Sequence, residues 1–299
     1  MDVARSNPIF SATMSLPHFK QLLQFLSFDN RETRDDRYKK DKMAACREVF
    51  EIFNDNCGKY LMPSPYVTID ECLYSYRNQI SWKQYNKNKP KSYRLNFRCL
   101  NNVEYTFTYS SEVFCGKPQV IDEENGFYCS TILGWTIRLL EKFGWEKLFA
   151  VNLTTDNLYT YVALKKEVES HNMTFIGTMR SNRKGVTVEM LKKTNRDEFT
   201  NVVWFEKYEG KWTLTSYCVH TKSKGKKIVL ILSNYPNLPT MGVTKDDGKF
   251  KSAINKVYDF TKIGTDVVDQ RVDKYKYTMS MKSFEAGELV GTVSFRRCH

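Results

Sequence analysis

The chain has 299 residues, of which 41% are hydrophobic and 14% are aromatic. This composition predicts a sizeable packed core and excludes wholesale disorder and collagen-like repeats. The longest apolar run, residues 228–232, is far shorter than the roughly 20 residues that a membrane-spanning helix needs, and the first ten residues lack the apolar core of a signal peptide. The composition therefore predicts a soluble protein that is not secreted and has no membrane partner.

The net charge of the chain indicates the class of partner that it binds. The chain carries 46 Lys and Arg against 34 Asp and Glu, a formal net charge of +12. A positive surface attracts polyanions, so nucleic acid is the leading partner, although an excess of lysine can also serve solubility alone.

The 8 cysteines contain no CxxC pair and form no ligand cluster with the 4 histidines. This pattern is typical of reduced intracellular thiols without a zinc ribbon or a disulfide framework.

The first 62 residues are predicted to be helical. Ser15 is a candidate N-cap for a helix whose apolar residues recur at helical spacing up to residue 26. A second apolar stripe runs from Met43 to Phe53 and is predicted to end at Gly58. The charged run between the two helices, residues 30–42, is predicted to be a solvated loop.

From Pro63 the pattern changes to that of a mixed α/β layer. Strands first and then alternating helices and strands are indicated by Val, Ile, Tyr, Phe and Thr enrichment and by changes of apolar period. Asn101-Asn102 is predicted to be a tight hairpin turn. The predicted strands are residues 67–76, 93–100, 103–109, 148–153 and 174–178, and the predicted helices are residues 132–143 and 159–170.

A block at residues 199–233 is almost entirely strand-like and is predicted to be a separate antiparallel insertion. A loop at residues 236–251 follows it. Residues 252–281 contain few helix breakers and are predicted to be helical again.

Three acidic motifs lie where an α/β pattern would place them together. Asp70 lies on the first strand, Asp156 directly follows a later strand, and Asp266 and Asp269 share one face of the last helix because they are three residues apart. An ionised carboxylate in an apolar strand loses hydration unless it is paired or metal-bound, so Asp70 is predicted to face a cation. Two Mg²⁺ ions held by such carboxylates would support phosphoryl chemistry. From the residues alone, purely structural carboxylates remain the alternative.

The residues of several short motifs, and the order of these motifs along the chain, resemble those of the piggyBac family of transposases and their domesticated derivatives. The matching fragments run through most of the chain: residues 7–11, 14–15, 24–30, 68–71, 88–90, 155–157, 177–182 and 261–270. The resemblance implies an RNase H-like mixed sheet flanked by helices, with an inserted antiparallel β domain. It also implies a DDE-type triad of Asp70, Asp156 and Asp266 that binds Mg²⁺ or Mn²⁺, with Asp269 as a further acidic residue.

The resemblance further implies partners and a domain plan. The partners are DNA, in the form of transposon ends and a TTAA-like target, and a second copy of the chain, in the nucleus. The plan is a helical dimerisation and DNA-binding region at 1–62, the catalytic core at 63–198 and 252–272, the β insertion at 199–251 and a truncated, divergent tail at 273–299. The chain departs from the family at Leu158, Tyr159 and Tyr161 and beyond about Phe284. A domesticated or decaying module that binds DNA or protein without catalysis is therefore the alternative to a transposase.

A basic stretch without Asp or Glu follows the strand that bears Asp70. Cations neutralise phosphates, and interleaved aromatic rings can stack on unpaired bases, so the stretch is predicted to bind DNA. The alternative is a solvated loop between strands. Its basic residues are Arg77, Lys83, Lys87, Lys89, Lys91, Arg94 and Arg98, and its aromatic residues are Trp82, Tyr85, Tyr93 and Phe97.

Overall fold

The structure, a computed structural model, describes residues 8–25, 29–76, 80–85, 87, 92–116, 131–207, 211–221, 225–235, 243–246 and 249–275. The chain divides into two compact units, one formed by Met1–Ile52 with Thr278–His299 and the other by Phe53–Tyr277. Of the helices that the structure describes, none has the length and apolar content that crossing a membrane requires. Of the described cysteines, Cys46, Cys72, Cys99 and Cys218 are buried free thiols.

Helices make up the described part of the first unit. They are α1 (Pro8–Thr13), α2 (Leu16–Phe25), α3 (Arg31–Lys40) and the beginning of α4 (Arg47–Tyr60). Ser15 caps α2 as predicted, because its Oγ accepts a hydrogen bond of 3.4 Å from the His18 N–H.

The predicted loop at residues 30–42 is wrong, because α3 forms there. This helix has no buried residues, and local interactions hold it instead of an apolar stripe. Asn30 Oδ1 accepts a hydrogen bond of 3.0 Å from the Glu32 N–H, and the basic residues of the last turn complement the helix dipole. The predicted stop at Gly58 is also wrong, since α4 continues to Tyr60.

The second unit is built on one large sheet with helices against it. The strands of this sheet are β1 (Tyr66–Ser75), β2 (Gln84–Tyr85), β3 (Tyr93–Asn102), β4 (Thr108–Val113), β5 (Asn152–Thr155), β6 (Thr174–Met179), β7 (Asn201–Phe205), β8 (Thr213–Thr221) and β9 (Gly225–Ser233). A separate hairpin comprises β10 (Val243–Asp246) and β11 (Lys249–Ser252). The helices are α5 (Ile132–Phe143), α6 (Leu164–Ser170), α7 (Val188–Leu191) and α8 (Ala253–Tyr275), with a 3₁₀ turn at Trp145–Leu148.

The strand order of the sheet is β2-β3-β1-β5-β6-β9-β8-β7, with β4 paired to β3. The central pairs β1–β5 and β5–β6 are parallel, and the other pairs are antiparallel. Val67 and Ile69 of β1 belong to the main apolar core together with Leu139 and Phe143 of α5. Ile254 of helix α8 belongs to a second, smaller apolar cluster, which it forms with Ile176 of β6 and Ile231 of β9. The predicted mixed α/β sheet flanked by helices is thus confirmed.

The strands of the predicted insertion are continuous with this sheet. β9 pairs with β6, and Met179 lies opposite Leu230. Leu230 and Ile231 are buried, so the apolar residues of β9 pack as part of the sheet. The block at residues 199–233 is antiparallel, as predicted, and it extends the main sheet through the β6–β9 pair.

The hairpin turn also lies elsewhere than predicted. Asn101 and Asn102 belong to β3 and are fully buried, and the turn follows at residues 103–107, where Thr106 has a φ of 51°. Asparagine is common in turns, but here the Asn102 amide donates a hydrogen bond of 2.5 Å to the Tyr109 hydroxyl inside the protein. Burial of the amide in this bond explains the difference.

Candidate active site

Asp70 and Asp156 lie at adjacent positions on neighbouring parallel strands. Ile69 of β1 is paired in register with Thr155 of β5, and each aspartate is the next residue of its chain segment. Neighbouring strands are about 4.8 Å apart. Both side chains are half-buried. The register of the sheet therefore places these two residues side by side.

A tight turn fixes Asp156. Its Oδ1 accepts hydrogen bonds from the N–H groups of Leu158 at 2.8 Å and Tyr159 at 3.3 Å. Its carbonyl oxygen accepts from the Thr160 N–H at 3.1 Å and from the Thr160 hydroxyl at 2.7 Å. Tyr159 and Thr160 are fully buried and anchor the turn. Because residues 156–160 form this turn, α6 begins at Leu164 and not at Tyr159 as predicted.

Helix α8 lies directly against β1 and β3. A Cβ at Gly264 would lie 3.0 Å from the Asn102 carbonyl oxygen and 3.1 Å from Thr68 Cγ2, so only glycine allows this approach without a shift. Thr68 and Asp70 share one face of β1 because they are two residues apart. The Asn101 amide donates a buried hydrogen bond of 2.8 Å to the Thr265 hydroxyl. These contacts fix the position of Thr265, the residue immediately before Asp266. The side chain of Asp266 itself is exposed.

Electrostatics connect the three carboxylates. Burial, together with the charges of Asp156, Glu71 and Asp266, raises the pKa of Asp70 to about 7, against one hydrogen bond of 2.7 Å from the Glu71 N–H to Asp70 Oδ1. Burial also raises the pKa of Asp156, partly offset by its backbone hydrogen bonds and by the Arg180 guanidinium. The site therefore concentrates negative charge that its own cations compensate only in part.

Asp269 lies one helical turn beyond Asp266. Burial, together with the charges of Asp266 and Asp273, raises its pKa to about 6, although hydrogen bonds from the Cys72 thiol and the Leu73 N–H act in the opposite direction. Its Oδ1 is buried and has no hydrogen-bond partner in the described part of the chain. Asp269 thus lies near β1, beside Cys72.

The donor chemistry of the site fits a divalent cation. Asp70 and Asp156 each use Oδ1 to accept backbone N–H groups, which leaves the second oxygen for another partner. Mg²⁺ and Mn²⁺ prefer such oxygen ligands. Across the described ranges, no group of three or more His, Cys, Asp or Glu side chains is already arranged around a single metal position. The charge of Asp266 also acts on Asp70, after those of Asp156 and Glu71.

The basic stretch is only partly described, since Arg77, Lys89 and Lys91 lie outside the described residues. Lys87 is exposed, and the Lys83 ammonium lies 4.8 Å from the centre of the Tyr93 ring. Arg94 and Arg98 are part of β3 and not of a loop. Arg98 is only 5% exposed, so its guanidinium is not a surface cation.

The aromatic residues of the stretch divide into two groups. Trp82 and Phe97 are each 4% exposed and belong to the interior. Tyr85 and Tyr93 are 61% and 51% exposed, and their ring centres lie 5.1 Å apart. Only the two tyrosines are therefore placed to meet a ligand at the surface.

Arg180 is a site residue that sequence reasoning did not select. It directly follows β6, its Nε donates a hydrogen bond of 2.9 Å to Asn157 Oδ1, and its charge lowers the pKa of Asp156. The signal was present in the sequence, because the carboxyl ends of the parallel strands β5 and β6 meet at one edge of the sheet. An arginine one residue beyond β6 therefore lies beside the residue that follows β5.

Comparisons with known proteins agree with this architecture. A profile of the family described as Transposase IS4 matches residues 2–286. The human PiggyBac transposable element-derived protein 3 is 23% identical over 300 residues, covering 95% of this chain and 47% of its own length, and the human Chimeric ERCC6-PGBD3 protein is also 23% identical, with 26% of its length covered. The chain thus spans about half the length of the first of these relatives.

A solved structure supports the fold. The cryo-EM structure of a piggyBac transposase synaptic complex with hairpin DNA superposes with a TM-score of 0.77 at 22% identity, over 98% of this chain and 57% of that chain. The mixed sheet with its flanking helices is accordingly the fold of that transposase. With the family profile matching nearly its whole length, the chain belongs to the Transposase IS4 family and is of the piggyBac type.

Proposed function

We propose that the chain carries a metal-dependent, DDE-type site that cleaves DNA and joins it to a new position, with Asp70, Asp156 and Asp266 as its carboxylates. The observation that carries the proposal is the pairing of β1 with β5, which sets Asp70 beside Asp156 while α8 brings the charge of Asp266 to Asp70. The family match supports it, as does the fold shared with a piggyBac transposase whose structure was solved in a synaptic complex with hairpin DNA. A nuclear location and a TTAA-like target belong to the same proposal.

The residues of the chain divide the work. Asp70 and Asp156, with Asp266, would hold Mg²⁺ or Mn²⁺, and the ion supplies Lewis-acid stabilisation of the attacking and leaving oxygens of a phosphodiester. The turn at residues 156–160 holds the Asp156 carboxylate in one orientation before substrate arrives. Such preorganisation matters because small displacements of catalytic groups lower the rate strongly.

Positive side chains, of which Arg180 lies beside Asp156, give the DNA backbone a place to bind. Arg180 is exposed and lies beside Asp156, and Lys87 is exposed next to the β2–β3 edge. Phosphate contacts by lysine and arginine position DNA without reading its sequence. Arg180 is therefore assigned to the phosphate nearest the carboxylates, and Lys83, Lys87 and Arg94 to the flanking DNA.

The test is nicking of a supercoiled plasmid that contains TTAA, with Mg²⁺ or Mn²⁺ and with EDTA. Single changes Asp70→Asn, Asp156→Asn and Asp266→Asn should each lower metal-dependent nicking by about a hundredfold or more while DNA binding persists. Asp259→Asn is the matched control on α8, since Asp259 pairs with Lys251 at 2.5 Å and Lys262 at 3.0 Å and not with the site.

The outcomes separate the parts of the proposal. DNA binding by the unchanged chain without metal-dependent nicking contradicts the cleavage function and favours a non-catalytic DNA-binding module. Equal nicking by the three variants and the control contradicts the assignment of the carboxylates. Absence of DNA binding contradicts the substrate class itself.

A further inference from the structure

Backbone N–H groups orient the Asp70 and Asp156 carboxylates. The Glu71 N–H donates to Asp70 Oδ1 at 2.7 Å. The Tyr159 N–H donates to Asp156 Oδ1 at 3.3 Å, beside the shorter bond of 2.8 Å from the Leu158 N–H. A carboxylate held in this way keeps its orientation as long as its donor stays in place. The groups that fix Glu71 and Tyr159 therefore also act on the site.

The side chains of Glu71 and Tyr159 both meet Arg98. Glu71 of β1 is paired in register with Arg98 of β3, and residues paired in this way have their side chains on the same face of the sheet. The Arg98 guanidinium attracts the Glu71 carboxylate and forms a side-chain hydrogen bond with Tyr159. Asp70, one residue before Glu71, points to the opposite face. Arg98 therefore lies behind the site, across the sheet from Asp70.

Aromatic rings enclose Arg98 and fix its guanidinium. Arg98 is 5% exposed, and its Cζ lies 4.8 Å from the centre of the Phe114 ring and 5.0 Å from that of the Trp135 ring. Tyr159 is fully buried and belongs to the main apolar core. Side chains in a close-packed interior have little room to move. The guanidinium thus gives Glu71 and Tyr159 a common fixed partner.

The chemistry of a buried arginine favours a role in orientation. Burial disfavours the charged guanidinium and lowers the pKa of Arg98, whereas Tyr159, Glu71 and Glu112 act in the opposite direction. Buried ion pairs add little net stability, since desolvation offsets the attraction, and in some proteins they specify one arrangement instead. Contact with DNA, which the basic stretch predicts, requires an accessible cation, and Arg98 is not one. Fixing the residues around it is the role that agrees with both observations.

We propose that Arg98 is a positioning residue of the carboxylate site, which fixes Asp70 through Glu71 and Asp156 through Tyr159. The two aspartates belong to different segments, since Asp70 lies in β1 and Asp156 directly follows β5. Arg98 links these segments behind the sheet and keeps the two carboxylates in a fixed relation. Altering residues that orient metal ligands commonly lowers metal affinity by about tenfold to a hundredfold. The inference rests on the proposed function for its metal ion and gives Arg98 a role other than phosphate contact.

The first measurement needs neither metal nor DNA. Amide hydrogen exchange of the full chain is followed by NMR in EDTA, and the amide of residue 159 is compared with that of Cys218, which donates to the Thr200 carbonyl at 3.0 Å. Arg98→Met replaces the guanidinium by an apolar chain, so exchange at residue 159 should become about tenfold faster relative to Cys218. Tyr159→Phe, which loses the hydroxyl that meets Arg98, should change the exchange of its own amide in the same direction.

The second measurement is Mn²⁺ binding, followed by electron paramagnetic resonance. Asp70→Asn should abolish binding and so assign the signal to the carboxylates. Arg98→Met should weaken Mn²⁺ binding by about tenfold or more. Arg98→Lys restores the charge but not the planar fork, so it should recover part of the loss.

Arg196→Met is the matched control for both measurements. Arg196 donates to Ser216 Oγ at 2.7 Å and to the Thr200 carbonyl at 3.0 Å, beside β7 and β8. Its loss should speed exchange at Cys218, which donates to the same Thr200 carbonyl, and not at Tyr159. Mn²⁺ binding by this variant should equal that of the unchanged chain.

The outcomes separate the inference from the proposed function. Unchanged Mn²⁺ affinity in Arg98→Met, or exchange that rises equally at Tyr159 and Cys218, overturns the inference while the proposed metal site stands. Equal loss of Mn²⁺ binding in Arg98→Met and Arg196→Met also overturns it, because arginine then only stabilises the fold. If Arg98→Met does not fold, unchanged Mn²⁺ binding in both Arg98→Lys and Tyr159→Phe overturns the inference. Absence of Mn²⁺ binding by the unchanged chain contradicts the proposed function, and exchange at Tyr159 then decides alone whether Arg98 positions the turn that holds Asp156.

Discussion

Asn101 of β3 donates a hydrogen bond to Thr265 of α8 across 2.8 Å, and both residues are buried. The bond ties the sheet to the residue immediately before Asp266. Thr265→Val removes the acceptor and leaves the Asn101 donor unsatisfied, which should cost about 1–3 kcal/mol of unfolding free energy. Because the helix then loses its fixed seat, we expect metal-dependent nicking to fall by about tenfold to a hundredfold.

Thr261→Val is the control for this prediction. The Thr261 hydroxyl donates to the Val257 carbonyl within the same helix at 2.8 Å, so its loss does not release α8 from β3. If the two variants melt at similar temperatures and only the Thr265 variant has a nicking defect, the role of the bond is supported. An equal nicking defect in both variants would show that it has no special role.

Gly264→Ala tests how closely α8 must approach the sheet. The added methyl group would lie 3.0–3.1 Å from backbone and side-chain atoms of Asn102, Val103 and Thr68, so the helix has to move away. We expect a loss of about 1–3 kcal/mol in stability and a larger relative loss of nicking. Thermal melting and plasmid nicking measure the two effects, and unchanged nicking would contradict the claim that the site needs this contact.

Asp70→Asn should stabilise the metal-free protein. Burial and the Asp156 charge disfavour the ionised Asp70 carboxylate, and the neutral amide avoids both effects while its oxygen can still accept from the Glu71 N–H. One pKa unit corresponds to about 1.4 kcal/mol, so at pH 8 in EDTA we expect a gain on the order of 1 kcal/mol, or roughly 2–4 °C. Asp259→Asn, which only breaks surface ion pairs, should not show this gain. A lower melting temperature for the Asp70 variant would contradict the prediction.

Acid should destabilise the first unit through Asp29. Burial raises the pKa of Asp29, but hydrogen bonds and charges of Arg37 and Arg34 outweigh it, and the net pKa is lowered. A carboxyl with a lowered folded pKa stabilises the protein above its unfolded pKa of about 3.9, and this stabilisation is lost as the pH falls through the folded pKa. Asp29→Asn should therefore destabilise at pH 6 and have a smaller effect at pH 3. Urea unfolding measures this, with the exposed Asp36→Asn as control.

The salt dependence of DNA binding tests the basic stretch. Each phosphate contact contributes a slope of about −0.9 to log affinity against log salt, so four contacts would give about −3.6. Lys83→Gln with Lys87→Gln should flatten the slope by about 1.8. The control pair is Lys251→Gln with Lys262→Gln, since both lysines pair with Asp259. An unchanged slope in the first pair would assign the contacts to other surfaces.

Long elements with a clear local pattern could be predicted from the sequence. Helix α5 was predicted from the spacing of its apolar residues, β1 from its enrichment in β-branched and aromatic residues, and α8 from its lack of helix breakers. Helix α3 could not be predicted this way, because caps and charges hold it and it buries no residue. The pairing of β9 with β6 was also missed, since strand partners far apart in sequence leave no local signal.

Of the candidate site, too, only part could be predicted from the sequence. The adjacency of Asp70 and Asp156 follows from the parallel pairing of β1 with β5, because Asp70 lies within β1 and Asp156 directly follows β5. The burial of Arg98 could not be read from the sequence, because it depends on neighbours from other segments, including Phe114 and Trp135. A run of basic residues predicts a positive surface, but not which of its members the sheet turns inward.

The hydrogen bond that fixes α8 to the sheet also affects when the protein can become active. Asn101 and Thr265 are 164 positions apart, so the bond that holds the end of the site cannot form until most of the chain has been synthesised. A nascent chain on the ribosome has β1 and β5 long before it has Asp266. We therefore expect nascent chains that stop before α8 to be harmless to nearby DNA, because they lack Asp266, the last carboxylate of the site.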